Sequence, residues 1–107
     1  MTRAMPAGLD ITDHQWETVS QVLQASVPVC EVWAFGSRVL GRSKSYSDLD
    51  LAVLAGRPLS LETRAVLADA FDESDLPFKV DVVDMSSASP AFCAIIESEH
   101  LVVQSGV

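Results

Sequence analysis

The stretch AFGSRVLGRSKSYSDLDLAVL, residues 34–54, decides how this chain is read. It places two aspartates, Asp48 and Asp50, in an apolar run that otherwise has the composition of a β-strand. Side chains two apart on a strand share a face, so the two carboxylates converge while Leu49, Leu51 and Val53 face the other way into a core. At an effective dielectric of about 20, two carboxylates roughly 5 Å apart repel by about 3 kcal/mol. Nothing in the flanking pattern suggests that folding alone favours such a pair. A divalent cation reverses the sign of the problem, because Mg²⁺ takes one or two carboxylates and fills its shell with water and substrate phosphates. A bare D-x-D remains a weak motif by itself, since an aspartate near a strand start often caps a turn or faces solvent.

Working upstream, VCEVWAF (29–35) is rich in β-branched and aromatic residues and bounded by Pro28 and Gly36, the marks of a strand. The chain then turns at Gly36 and offers Ser37 and Arg38. Glycine allows the backbone to approach a ligand closely. If a helical turn begins here, its free N–H groups form an anion site. The Ser37 hydroxyl can add a hydrogen bond to a phosphate oxygen, and Arg38 a bidentate contact. An isolated Gly-Ser is more often a plain strand-end turn with a serine cap. Arg38, Arg42 and Lys44, three of the seven basic residues, lie between this pair and the aspartates.

Working downstream, Gly56 and Pro58 stop the second strand (48–54), and Ser60 caps a helix over LETRAVLADAFDES (61–74). In FKVDVVDM (78–85), Phe78, Val80 and Val82 alternate with Lys79, Asp81 and Val83. An aspartate at the centre of a strand is expensive unless paired or liganded. With this strand beside the second, Asp81 faces the same cavity as Asp48 and Asp50. Three convergent carboxylates can hold two metal ions about 3.5–4 Å apart, a clamp for a phosphoryl group. Asp84, on the opposite face at the strand exit, reads as a loop cap.

Thr12 and Gln15 have capping-box spacing, and Trp16, Val19, Val22 and Leu23 form the stripe of an amphipathic helix ending near Ser26. A Ser-rich loop leads to Pro90 at the start of a third helix, which runs to about Glu99, and LVVQ is a short last strand. The expected fold is mixed α/β (α+β): a small mixed sheet with helices packed on one face. Residues 1–10 read as a flexible lead-in and 11–104 as a single domain.

Composition narrows the function classes. The 107 residues carry a formal net charge of −8, which on average repels a phosphate backbone and argues against nucleic acid as the main partner. No apolar stretch approaches the roughly 20 residues a membrane helix needs. The N-terminus lacks the apolar stretch of a signal peptide. Cys30 and Cys93 stand in no metal-ligand spacing and read as reduced core residues of a cytoplasmic protein.

Gly36-Ser37, ten residues, Asp48-Leu49-Asp50, then the strand aspartate Asp81 in VDVV: together these resemble the DNA polymerase beta-like nucleotidyltransferase superfamily, and within it the minimal, MntA-like group. The resemblance spans about residues 29–101. It implies that Gly36, Ser37 and Arg38 hold the nucleotide, that Asp48 and Asp50 bind two Mg²⁺ ions (Mn²⁺ also suits), and that Asp81 completes the catalytic metal site. It implies transfer of AMP from ATP to a hydroxyl. In the group the acceptor is a tyrosine of a HEPN-type ribonuclease toxin, silenced by its antitoxin. Where many relatives have Arg-Ala-Arg-Gly after the serine, this chain has Arg38-Val39-Leu40-Gly41, so Leu40 replaces the second arginine. Arg42 or Lys44 are the available substitutes. The alternatives are a non-catalytic antitoxin acting by contact, a small-molecule nucleotidyltransferase, and an interaction subunit without nucleotide chemistry. His14 reads as exposed and without a role, His100 as a helix C-cap, and Tyr46 as a surface or packing residue.

Overall fold

Three of the four helices, all but the single turn after Gly36, begin where a side chain satisfies an orphan N–H group. The computed structural model describes residues 4–106. Helix α1 (Asp13–Ser26) opens on a reciprocal capping box in which Gln15 N donates to Thr12 Oγ1 at 3.1 Å and Thr12 N to Gln15 Oε1 at 2.9 Å. Strand β1 (Glu31–Phe35) follows, then a single turn of helix, α2 (Ser37–Leu40), and strand β2 (Leu49–Leu54). Ser60 caps α3 (Leu61–Asp72), which leads to β3 (Val80–Asp84). Ser89 caps α4 (Pro90–Ser98), with proline in the first turn, and β4 (Leu101–Gln104) closes the fold.

The four strands form one sheet in the order β3-β2-β1-β4. β1 pairs antiparallel with β2 and β4, while β2 pairs parallel with β3 across the α3 connection. The fold is therefore the expected mixed α+β, and the strands are shorter at their starts than the apolar runs suggest. Asp48 lies just outside β2, and Phe78 and Lys79 precede β3.

The two faces of the sheet do different work. Leu49, Leu51, Val53, Val32 and Val103 point to one face, where Trp16, Val19 and Leu23 of α1 and Leu67 and Phe71 of α3 complete the main core. The other face carries Asp50 and Asp81 toward one end. On the same face, starting beside Asp50, Phe35 and Ala52 meet Ile96 of α4, with Trp33, Val83 and Met85 at the margin. Helices on one face alone are thus an expectation that holds for α1 and α3, whereas α4 docks on the site-bearing face. Its physical reason is Ile96, wholly buried against Phe35 and Ala52.

The lead-in also differs from expectation. Leu9 is only 6% exposed within the main core, Met5 packs against it, and Asp10 N donates to Arg38 O at 2.9 Å. Residues 4–10 are therefore docked, and residues 1–3 of the expected lead-in lie outside the described residues. Among the described residues no helix is long and apolar enough to cross a membrane.

Candidate active site

The register of the sheet assembles the site. Phe35, the last residue of β1, pairs with Asp50 of β2, and Asp50 pairs in parallel with Asp81 of β3. Gly36 follows Phe35 directly, so the turn leaving β1 is placed against the Asp50 carboxylate. Gly36 has φ +82°, and a Cβ built there would overlap Asp50 Oδ2. Only glycine combines this backbone conformation with this close approach. Its carbonyl accepts from Val39 N and Leu40 N, both at 3.0 Å, which starts α2 and points the turn at the aspartates.

Asp50 is partly buried, while Asp48 and Asp81 on either side are exposed. Burial, with the charges of Asp81 and Asp48 beside it, pushes the Asp50 carboxyl up to about 6 from an ordinary 3.8. Asp48 and Asp81 therefore both lie within electrostatic range of Asp50. Among the described residues no three His, Cys, Asp or Glu side chains form a group that could hold a metal ion, so Asp48, Asp50 and Asp81 are neighbours rather than a closed ligand set. Two exposed carboxylates beside a partly buried one supply hard oxygen donors, the chemistry that suits an ion drawing its other ligands from water and a phosphate chain.

Arg38 is placed differently from the expected phosphate ligand. It is 5% exposed, and four of its five donors are taken by backbone carbonyls. Nε donates to Ser47 O at 2.9 Å, Nη1 to Asp10 O at 2.8 Å, and Nη2 to Lys44 O and Ser45 O, both at 3.1 Å. Its guanidinium also lies 4.1 Å above the Phe78 ring. Arg42 and Lys44, by contrast, are exposed on the connecting loop.

Asp84 is the loop cap that its position suggested. It is 7% exposed, and its carboxylate accepts from Leu59 N at 2.8 Å, Ser86 N at 3.0 Å and Arg64 Nη2 at 3.0 Å. Burial alone would raise its pKa, but these donors hold the carboxyl below its ordinary value. His14 has a partner after all, the exposed Asp75 at 2.9 Å. His100 bonds Glu97 O at 3.1 Å and stacks on Trp33 at 3.8 Å between ring centroids. Tyr46 is 80% exposed. Two features escape the sequence: the inward turn of Arg38, and the edge-on contact of Phe92 with Phe35 beside the Gly36 turn. For the first, an arginine followed by Val39 and Leu40 in a short turn is a weak hint.

Comparison with known proteins agrees with this geometry. The polymerase beta nucleotidyltransferase family model matches residues 17–105. A protein of Haemophilus influenzae named "Probable protein adenylyltransferase MntA" is 47% identical over 98 residues, 92% of this chain and 86% of that one. A crystal structure of a toxin–antitoxin with AMP-PNP superposes with a TM-score of 0.71 at 30% identity, covering 86% of this chain and 73% of that one. A structure of tri-AMPylated Shewanella oneidensis HEPN toxin in complex with MNT antitoxin superposes with a TM-score of 0.65 at 27% identity, covering 91% and 74%. A glycine turn set against paired strand aspartates, on a chain matched over nearly its whole length, leads to one conclusion: the protein belongs to the polymerase beta nucleotidyltransferase family and is a nucleotidyltransferase.

Proposed function

We propose that this protein transfers AMP from ATP to a tyrosine hydroxyl of a HEPN-type toxin and so neutralises it as an antitoxin. The observation that carries the reading is the uncompensated Asp50 carboxylate, pressed against a glycine turn and flanked by Asp48 and Asp81. A site that leaves like charges together invites a cation and a polyphosphate. Its similarity to an adenylyltransferase, and to antitoxins solved with an ATP analogue and with an AMPylated toxin, supports the choice of nucleotide and acceptor.

On this reading Gly36 and Ser37 hold the triphosphate, with Arg42 and Lys44 exposed nearby for its outer charges. Asp48 and Asp50 would hold two Mg²⁺ ions, or Mn²⁺, with Asp81 completing the set. When bound, these ions neutralise charge on the transferred phosphoryl group. Asp81 takes the proton from the acceptor hydroxyl as its oxygen attacks the α-phosphorus in line and pyrophosphate leaves. Holding the two reactants in that geometry supplies much of the acceleration. We place the reaction in the cytoplasm, which keeps free thiols such as Cys30 and Cys93 reduced.

The test is an intact-mass measurement on the protein mixed with its HEPN-type partner, ATP and Mg²⁺, beside an Asp48→Asn/Asp50→Asn double variant. AMP-sized additions to the partner, absent with the variant, are the expected result. A complex that silences the partner without any addition would replace this reading with a non-catalytic antitoxin that acts by contact.

A further inference from the structure

We propose that Arg38 is a positioning residue that sets Asp48 against the Gly36–Ser37 turn, in place of a direct role on phosphate. The inference rests on the nucleotidyltransferase reading above and deepens it. The loop from Gly41 to Asp48 has no regular secondary structure and no apolar side chain buried in the core. Something other than packing must therefore define its path.

Three of its carbonyls, those of Lys44, Ser45 and Ser47, converge on one guanidinium. The loop's own backbone bonds tie its start to Ser37 O through Arg42 N at 3.0 Å and close a local turn, Lys44 N to Ser47 Oγ at 2.8 Å and Ser47 N to Lys44 O at 3.0 Å. The residue after Ser47 is Asp48. At the other end of the strut, Arg38 follows Ser37 within α2. One side chain thus spans from the phosphate turn to the backbone of the first carboxylate.

The same guanidinium ties in two further segments. Nη1 holds Asp10 O, and Asp10 in turn accepts from the Ser43 hydroxyl, which fastens the loop to the docked N-terminal segment. Its face covers Phe78, one residue before Lys79, whose carbonyl accepts from Leu49 N at 2.9 Å at the point where β3 meets β2. An apolar residue could fill this volume but could not gather four carbonyls. Lysine could keep the charge but not the planar fork that reaches carbonyls on three sides. With four donors committed inward, Arg38 has little left to offer a nucleotide.

The experiment uses the full chain and reads binding as well as transfer. Mn²⁺ binding would be followed by electron paramagnetic resonance with a non-hydrolysable ATP analogue present. Analogue affinity would be measured separately without metal, for the wild type, Arg38→Lys and Phe78→Leu. Arg38→Lys is expected to weaken Mn²⁺ binding on the order of 10–100-fold, the usual cost of losing an outer-shell support. Metal-free analogue affinity is expected to hold, amide exchange over residues 44–48 to accelerate, and transfer to recover as Mn²⁺ is raised. Phe78→Leu, which removes the stacking face and spares the hydrogen bonds, should shift the same readouts in the same direction by less. Loss of metal-free analogue affinity in Arg38→Lys would make Arg38 a phosphate ligand and overturn the proposal. Unchanged Mn²⁺ binding with only a lower melting temperature would overturn it too, leaving a purely structural arginine. A wild type that binds no Mn²⁺–analogue complex would instead overturn the catalytic reading on which the proposal stands.

Discussion

Asp84 and Asp50 lie on the two strands of one parallel pair, yet they answer burial in opposite ways. Asp84 is the more buried, and its oxygens are met by two backbone N–H groups and by Arg64, so it stays ionised below its ordinary pKa. Asp50 is less buried, sits among carboxylates and against a glycine turn, and is pushed up to about 6. The fold neutralises one carboxylate internally and sets the other beside like charges. Burial alone does not separate a structural charge from a functional one. What separates them is whether the protein itself supplies the counter-charge.

The largest effect should come from Asp50→Asn. Transfer to the partner should fall by at least about 10²–10³-fold, the cost of removing one electrostatic element from an active site. The same variant should be more stable than the wild type at pH 7, because it removes a repulsion that folding opposes. Rate assays and thermal melts on one sample would check both halves. Next in size, Asp84→Asn should cost about 2–3 kcal/mol of stability, since it leaves Leu59 N–H facing an amide and unpairs Arg64. Its melting temperature should drop while transfer persists below it. If the two variants behaved alike, the contrast between the two aspartates would be broken.

How much of this was legible beforehand depends on the kind of interaction. Local chemistry is open to reading: the Thr12–Gln15 box, the cap Ser60, Pro90 at a helix start, and Asp84 as a loop cap are settled within a few residues of chain. Strand periodicity put Asp50 and Asp81 on one face, and the sheet register then made them neighbours. Periodicity says which face a side chain takes but not how tightly the face closes. That the three carboxylates do not close into a ligand group therefore needed coordinates. Arg38 was opaque for a different reason: its partners are backbone carbonyls, which every residue carries, so no letter at positions 10, 44, 45 or 47 announces them. Helix α4 hid its side of the sheet because it is apolar on more than one flank, with Ile96 buried and Ile95 exposed. The docking of residues 4–10 hangs mainly on one buried leucine, Leu9, too little for any pattern to reveal.

The most direct test of the account is the pH dependence of stability for the wild type against Asp50→Asn, without metal, from pH 4 to 7. Asp50 holds its proton longer in the folded state than in the unfolded chain, where its ordinary value is 3.8. Its share of stability is therefore complete below about pH 4 and is lost as pH rises through about 6. Asp84, shifted the other way, acts in the window below 3.8 and is common to both proteins. The wild type should lose up to about 3 kcal/mol relative to the variant across this range, and Mg²⁺ with an ATP analogue should restore part of that loss. Parallel curves for the two proteins would show that Asp50 carries no unmet charge, and would contradict the assignment of this site.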